Sequence, residues 1–220
     1  MQRKITLTES EFYHIYNRGV EKREIFSDIN DRERFLRLLF IANSTEPFNF
    51  RDIKNKKLSG INRGASLVAI GSYCLMPNHF HLLVKEVVSG GTSAFMEKLS
   101  TGYSMYFNKK HARVGPLFQG RFKAQHVDND QYLKYLFAYI HLNPIKLIDS
   151  RWKENRVKDR KRAERYLSNY RYSSYSDYSG SEREERAILT TQEFPVYFED
   201  THGFNDFLNE WLDYKESEEE

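Results

Sequence analysis

The fold of this chain is decided by the stretch Cys74-Leu75-Met76-Pro77-Asn78-His79-Phe80-His81-Leu82-Leu83-Val84, in which two imidazoles enter an apolar run typical of a buried strand. Side chains two residues apart on a strand point to the same face, so His79 and His81 can aim at one point. Two neutral imidazoles are a common beginning of a divalent metal site. His-x-His pairs also arise by chance, so a second element is needed to favour a site.

That second element is a predicted helix from about Asn129 to Leu142. Asp128 followed by Gln131 is close to a capping box, and Pro144 disfavours helical geometry at the residue before it. Tyr139 and Asn143 are four residues apart, so a phenol and an amide project from one helix face. The same spacing also fits an aromatic core stripe of tyrosines, and spacing alone favours that stripe.

Strands and helices alternate along the rest of the chain. The pattern predicts strands at Phe12–Arg18, Leu67–Cys74, His79–Val87 and Leu117–Val127, and helices at Asp31–Asn43 and Thr92–Lys110, with a surface loop over 44–66. Short strands interleaved with helices in this order indicate an α+β fold with a largely antiparallel central sheet. The polar face of the fourth predicted strand is a candidate surface for a nucleic-acid strand.

Composition limits the class of protein. The chain has 220 residues, enough to bury a core, and a single cysteine, which excludes a disulfide framework within the chain. No apolar run approaches the roughly 20 residues of a membrane helix, and the N-terminus lacks the apolar segment of a signal peptide. We therefore expect a cytoplasmic protein that does not associate with membranes.

Charge is unevenly distributed. Residues 181–220 hold thirteen acidic and three basic residues, whereas residues 1–180 hold 31 basic and 18 acidic residues. A basic body and an aromatic content of 15% fit a nucleic-acid partner, with rings on which unpaired bases can stack. Many solvated surfaces are also basic, so charge alone does not decide the partner.

Five segments together resemble the HUH-type single-tyrosine transposases, and among them the REP-associated tyrosine transposases. They are Tyr13-His14-Ile15-Tyr16-Asn17-Arg18-Gly19, Met76 to Val84, Gly115-Pro116-Leu117-Phe118-Gln119-Gly120-Arg121-Phe122, Tyr139-Ile140-His141-Leu142-Asn143-Pro144 and Tyr172-Ser173-Ser174-Tyr175. The resemblance covers about residues 12–180. It implies a ferredoxin-like (RRM-like) sheet of the HUH endonuclease type, with the tyrosine helix beside the histidine strand.

The resemblance also implies an activity and a site. The family cuts and rejoins single-stranded DNA, often at hairpins, through a covalent 5′-phosphotyrosine. Carried over by position, Tyr139 is the nucleophile, and His79, His81 and Asn143 are the metal ligands. Related enzymes often have Gln at the last position, so Asn143 is a shorter arm with the same amide oxygen.

The implied chemistry is consistent with these residue types. A divalent cation polarises a phosphodiester and stabilises the charge that develops, and a tyrosine with an ordinary pKa of about 10 needs help to attack. Mg²⁺ is the expected cofactor, with Mn²⁺ as the alternative because imidazoles shift metal preference. A structural zinc site is not expected from one cysteine.

The remaining site predictions concern DNA and the second part of the chain. Expected DNA contacts are Arg18, Gln119, Arg121 and Lys123. Residues 1–150 are predicted to form the catalytic domain and residues 151–220 an extension that packs on it. The extension begins with a basic segment, a DNA contact or a solvated helix, and continues into an acidic amphipathic helix over 204–212.

Two other functions stay open at this stage. One is a domesticated hairpin-binding regulator that no longer cuts DNA, and the other is a metal-dependent hydrolase with a water nucleophile. The expected substrate is DNA of a bacterial nucleoid. The sequence leaves undecided which DNA sequence is recognised, whether the protein acts as a monomer or a homodimer, and whether its gene is still mobile.

Overall fold

The computed structural model describes residues 5–53, 55–155 and 157–213. Within these ranges the strands are β1 (Phe12–Arg18), β2 (Val68–Met76), β3 (His79–Glu86) and β4 (Lys123–Val127). The α-helices are α1 (Ile29–Ile41), α2 (Phe50–Ile53), α3 (Gly91–Lys110), α4 (Asp130–Leu142), α5 (Trp152–Asn155), α6 (Arg160–Asn169), α7 (Tyr175–Tyr178) and α8 (Thr201–Asp213). Short 3-10 segments lie at Val20–Lys22, Leu58–Gly60, Asn143–Leu147, Glu184–Ile188 and Thr191–Glu193.

The strands form one antiparallel sheet in the order β2-β3-β1-β4. Strand β1 lies in the interior of the sheet, and its Tyr16 is opposite His81 of β3 on one side and Lys123 of β4 on the other. The order β1-α1-β2-β3-α3-β4, with this arrangement of strands, is ferredoxin-like. The predicted α+β class and antiparallel central sheet are therefore confirmed.

Strands β2 and β3 form a hairpin whose turn is Pro77-Asn78, with Met76 opposite His79. Proline has no N–H to give to a strand ladder, so it suits this turn better than a strand interior. The Pro77 carbonyl accepts hydrogen bonds from the backbone N–H groups of Ile25 and Phe26, at 2.9 and 3.1 Å. These bonds fix the hairpin tip, where the first histidine lies, against the chain that follows β1.

Each face of the sheet carries its own apolar core, because successive side chains of a strand point to opposite sides. On one face α1 and α3 pack over residues that include Tyr13 and Ile15. On the other face α4 and the C-terminal elements pack over Cys74, Met76 and Leu83. The histidines belong to this second face, so α4 and the histidine strand meet as the resemblance implied.

The C-terminal extension closes one edge of the sheet. The backbone N–H of Leu75 donates to the carbonyl of Tyr172 at 2.9 Å, and that of Ser174 donates to the carbonyl of Tyr73 at 3.0 Å. Helix α8 then packs on α4, with buried side chains at Phe204, Leu208 and Leu212. The predicted amphipathic helix is confirmed, the domain boundary at residue 150 stays a prediction, and the acidic end over 214–220 lies outside the described residues.

Two sequence predictions about local structure are wrong. The strand predicted over Leu117–Val127 begins only at Lys123, because Gly120 has a positive φ angle of 140° that interrupts an extended strand. The cap of α4 is Asn129 and not Asp128, since Asn129 Oδ1 accepts from the Tyr132 N–H at 2.7 Å. The predicted loop over 44–66 also contains the short helix α2 and one 3-10 turn.

None of the helices in the described ranges combines the length and apolarity that crossing a bilayer demands.

Candidate active site

His79 and His81 lie at the hairpin end of β3 and face the same side of the sheet, with ring centres 5.0 Å apart. Asn78 in the turn holds the His79 ring. Its Nδ2 donates to the Lys22 carbonyl at 3.0 Å, so its Oδ1 is turned to accept from His79 Nδ1 at 2.6 Å. Because His79 then carries its proton on Nδ1, its Nε2 presents a lone pair.

His81 is held from the neighbouring strand. Its side chain is only 6% exposed, and its Nδ1 lies 2.8 Å from Nε2 of His14 on β1. The Nε2 atom of His81 is buried and has no hydrogen-bond partner. Leaving a buried polar atom unpaired is costly, so such an atom in a folded protein calls for an explanation.

Both imidazoles are held in the neutral form. Burial lowers the pKa of His79 to about 4 and the pKa of His81 well below its usual value, and the nearby charges of Lys146 and Arg18 lower both pKa values further. Neutral imidazoles are the form that binds metals. At pH 7 both rings are therefore available as ligands.

Tyr139 reaches the histidines from α4. Its ring centre lies 5.4 Å from that of His81 and 6.2 Å from that of His14, in edge-on contacts. The aromatic stripe that was the alternative interpretation also exists, since Tyr132, Tyr135 and Tyr139 stack along the helix. These rings are half-buried, and the stripe ends at the histidine pair, so the two interpretations of the spacing are compatible.

Asn143 follows Tyr139 by one turn and begins the 3-10 segment Asn143–Leu147. Its backbone keeps right-handed helical geometry, with φ −53° and ψ −38°, so Pro144 tightens the helix and does not break it at this point. Asn143 is 0% exposed, and neither its Oδ1 nor its Nδ2 has a hydrogen-bond partner. A fully buried amide with both polar atoms unpaired therefore lies one helical turn from Tyr139.

The unpaired atoms fit a hard or borderline divalent cation. In the described ranges no three His, Cys, Asp or Glu side chains are grouped to hold a metal. The available set is different, with His79 Nε2, His81 Nε2 and an amide oxygen from Asn143. Carbonyl oxygen suits Mg²⁺ or Mn²⁺, imidazole nitrogen shifts the preference away from Mg²⁺, and a set of three such ligands would leave positions for substrate.

The four predicted DNA contacts all have exposed side chains. Arg18 ends β1 opposite His79, and its carbonyl accepts from the Gln119 N–H at 2.9 Å. Lys123 lies across from Tyr16, with its Nζ 5.9 Å from the centre of that ring. Gln119 and Arg121 lie on the irregular segment before β4 and not on a strand as predicted.

Two side chains that the sequence did not single out are part of this site. His14 could have been found, because alternation along the predicted strand Phe12–Arg18 puts it on one face with Tyr16 and Arg18. Lys146 lies in the 3-10 turn after α4, with its Nζ 5.3 Å from the centre of the Tyr139 ring. No periodic pattern marks that turn, so the sequence carried no signal for Lys146.

Comparison with solved structures supports the fold. A structure described as the REP-associated tyrosine transposase bound to a REP hairpin is similar, with 15% identity over 84% of this chain and 90% of that chain and a TM-score of 0.52. The tRNA(His) guanylyltransferase of Saccharomyces cerevisiae shows 11% identity over 90% of this chain and 83% of that chain. Its TM-score of 0.38 is too low to support an argument.

Comparison at the level of sequence finds a similarity over part of the chain. No curated protein sequence matches the chain. Residues 63–143 match the family model described as IS200-like transposase, and this range contains both histidines, Tyr139 and Asn143. Over this range, which is less than half of the chain, the protein is similar to the IS200-like transposase family.

Proposed function

We propose that the protein cuts and rejoins single-stranded DNA, with Tyr139 as the nucleophile that retains the 5′ end of the broken strand. The observation that carries this proposal is the Tyr139 ring, 5.4 Å from the His81 ring. Beside it, His81 Nε2 and both amide atoms of Asn143 are buried without partners. Similarity to the IS200-like transposase family over residues 63–143 supports DNA as the substrate.

The phenol of Tyr139 performs the proposed covalent step. Its Oη forms a bond to phosphorus while the bond from phosphorus to the 3′ oxygen breaks. The phenol proton ends on the departing 3′ oxygen, so the products are a 5′-phosphotyrosine and a free 3′-hydroxyl. Attack by another 3′-hydroxyl reverses the step and rejoins the strand. Because one phosphoester replaces another of similar energy, the cycle needs no nucleotide cofactor.

His79, His81 and Asn143 are the residues that would hold Mg²⁺ or Mn²⁺. A bound cation would orient the phosphodiester and stabilise the charge that develops on its oxygens. The side chains are already in the form that binds such a cation, because burial keeps both imidazoles neutral and the Asn143 amide has no competing hydrogen-bond partner.

Positively charged side chains lie near the histidine pair. Lys146 and Arg18 are close enough to lower the pKa of both histidines. Beyond them Arg121 and Lys123 are exposed along the side of the sheet that carries β4. Positive groups in this arrangement favour a phosphate backbone that passes over the site, and they position the strand without selecting a base.

Hairpin DNA is the proposed form of the substrate. The solved transposase with a similar fold is bound to a REP hairpin, which supports testing hairpins first. A regulator that binds hairpins and does not cut them is the alternative.

Denaturing electrophoresis tests the proposal. The purified protein is incubated with labelled single-stranded hairpins from the flanks of its own gene, with Mg²⁺, Mn²⁺ or EDTA. We expect a protein-linked DNA band that is absent with EDTA, in Tyr139→Phe and in His79→Ala. The matched control is Tyr135→Phe, one turn earlier on α4, where the ring stacks on Tyr139 and the adduct should persist.

The alternatives predict different gels. Hairpin binding without an adduct under either metal would support the non-cutting regulator. Cleavage without an adduct, retained in Tyr139→Phe, would indicate a water nucleophile and would overturn the proposed mechanism.

A further inference from the structure

His14 on β1 faces the Nδ1 atom of His81 on the neighbouring strand β3. Its Nε2 lies 2.8 Å from His81 Nδ1, and the two rings stack with centres 5.0 Å apart and planes 22° from parallel. Both side chains are nearly inaccessible, at 7% and 6% exposed. Water is therefore largely excluded as a competing partner for this bond.

The backbone register accounts for the contact. His14 is directly opposite Leu83, so His81 is its diagonal neighbour across β1 and β3. Diagonal neighbours on one face of a sheet are within reach of long or aromatic side chains. Since both residues lie on paired strands in the interior of the sheet, the geometry of the bond is fixed by the sheet itself.

The bond decides which nitrogen of His81 carries the proton. Only one of the two facing nitrogens can hold the hydrogen of this bond, because two N–H groups cannot both point into a contact of 2.8 Å. If His14 accepts, His81 has its proton on Nδ1 and a lone pair on the buried Nε2. If His14 donates, the proton of His81 lies on Nε2 and that atom cannot bind a metal.

We infer that His14 is a positioning residue that accepts the Nδ1 proton of His81 and so directs the His81 Nε2 lone pair toward the cation. The inference rests on the proposed metal site. A metal-binding histidine commonly donates its other ring N–H to a neighbouring group, and that bond fixes the orientation and tautomer of the ring. His14 takes this role for His81. On the other side Asn78 does the same for His79 through its Oδ1.

The test compares variants that differ in whether they can accept a hydrogen bond. His14→Gln places an amide oxygen at about the reach of Nε2, and His14→Leu fills the space without an acceptor. The control is His126→Gln on β4, where the ring contacts Glu11 at 2.7 Å, outside the site. Mn²⁺ affinity is measured by calorimetry without DNA, alongside thermal unfolding. The tautomer of His81 is read from ¹⁵N-histidine NMR spectra of the metal-free protein.

We expect His81 to be protonated on Nδ1 in the wild-type protein. His14→Leu should lose about 10- to 100-fold in Mn²⁺ affinity, whereas His14→Gln should recover most of it and His126→Gln should match the wild type. A role in packing alone would change the unfolding temperature and leave Mn²⁺ affinity untouched.

The failures of the two proposals are distinguishable. A wild-type protein that binds no Mn²⁺ would overturn the metal site itself. Mn²⁺ binding that is equally tight in His14→Leu, or a His81 proton found on Nε2 in the wild-type protein, would overturn the role of His14 and leave the metal site standing.

Discussion

Asn143→Leu should make the metal-free protein more stable while removing its response to metal. Asn143 is fully buried, and both of its amide atoms lack partners. A buried polar group without a partner costs about 1–3 kcal/mol, and leucine has a similar size and no polar atoms. We therefore expect the free energy of unfolding to rise by about 1–3 kcal/mol in EDTA. For a chain of this length, that corresponds to an increase of roughly 3–10 °C in Tm.

A second buried asparagine provides a matched control. Asn43 is also 0% exposed, but its amide donates to the Val68 carbonyl at 2.8 Å and accepts from the N–H groups of Leu67 and Val68, both at 2.9 Å. Asn43→Leu leaves these three backbone groups without their side-chain partner, so it should destabilise the protein by about 3 kcal/mol or more. The two substitutions exchange the same side chains, and their effects on the free energy of unfolding should have opposite signs.

The assay is urea unfolding with and without Mn²⁺. The wild-type protein should gain about 2.7 kcal/mol when Mn²⁺ is present at 100 times its Kd, because the cation binds only the folded state. Asn143→Leu should gain little. If Asn143→Leu unfolds more easily than the wild type in EDTA, the amide is satisfied within the fold and is not a group held ready for a ligand.

Three further outcomes follow from burial and charge. Burial raises the pKa of the Cys74 thiol above its usual range, and the side chain is 0% exposed. A thiol reagent should therefore label Cys74 only when the protein unfolds. Rapid labelling of the native protein would contradict its place in the core. Burial lowers the pKa of His141 to about 3. Between about pH 6.5 and 3 the unfolded chain therefore binds a proton that the folded chain does not. The contribution of this group should lower the free energy of unfolding by up to about 2 kcal/mol between pH 7 and pH 5. His141→Gln should flatten that slope in denaturation measured at both pH values, and an unchanged slope would show that other groups cause it. Replacing Arg121 and Lys123 with alanine should weaken hairpin binding at every sequence and reduce the slope of log affinity against log salt by up to about two, as measured by fluorescence anisotropy; an unchanged slope would place the DNA elsewhere.

The sheet was largely predictable because its strands have strong local patterns. The bounds of β1 were predicted to the residue, and the hairpin turn was signalled by Pro77 between two apolar runs. Helix α4 was predicted to within one residue because its apolar period and its Asx-type cap coincide. These are features in which local sequence and tertiary packing favour the same structure.

The errors arose where backbone conformation outweighed side-chain pattern. Residues 117–122 alternate like a strand, but Gly120 has a φ of 140° that no regular strand adopts. The regular ladder with β1 therefore begins only at Lys123, apart from an isolated bridge between Gly19 and Phe118. The pairing of residues 172–174 with β2 depends on contacts about 100 residues apart in sequence. A local pattern carries no information about such contacts.

Part of the arrangement of the candidate residues was predictable from the sequence, and the neighbouring His14 and Lys146 were not singled out. Strand periodicity put His79 and His81 on one face, and helix periodicity put Tyr139 and Asn143 on another. The meeting of these faces came from the family resemblance, because no spacing in the sequence relates a strand to a helix more than 50 residues later. The His14–His81 bond requires the register between β1 and β3, which the sequence did not supply.

The most direct test of the account is to locate the covalent bond to DNA. The protein is incubated with its flanking hairpins and Mn²⁺, digested with nuclease and trypsin, and the linked peptide is fragmented in a mass spectrometer. Of the fifteen tyrosines in the chain, we predict that the nucleotide remnant is on Tyr139 and not on Tyr135 of the same tryptic peptide. A remnant on any other residue, or DNA cleaved without a linked peptide, would contradict the proposal that Tyr139 is the nucleophile.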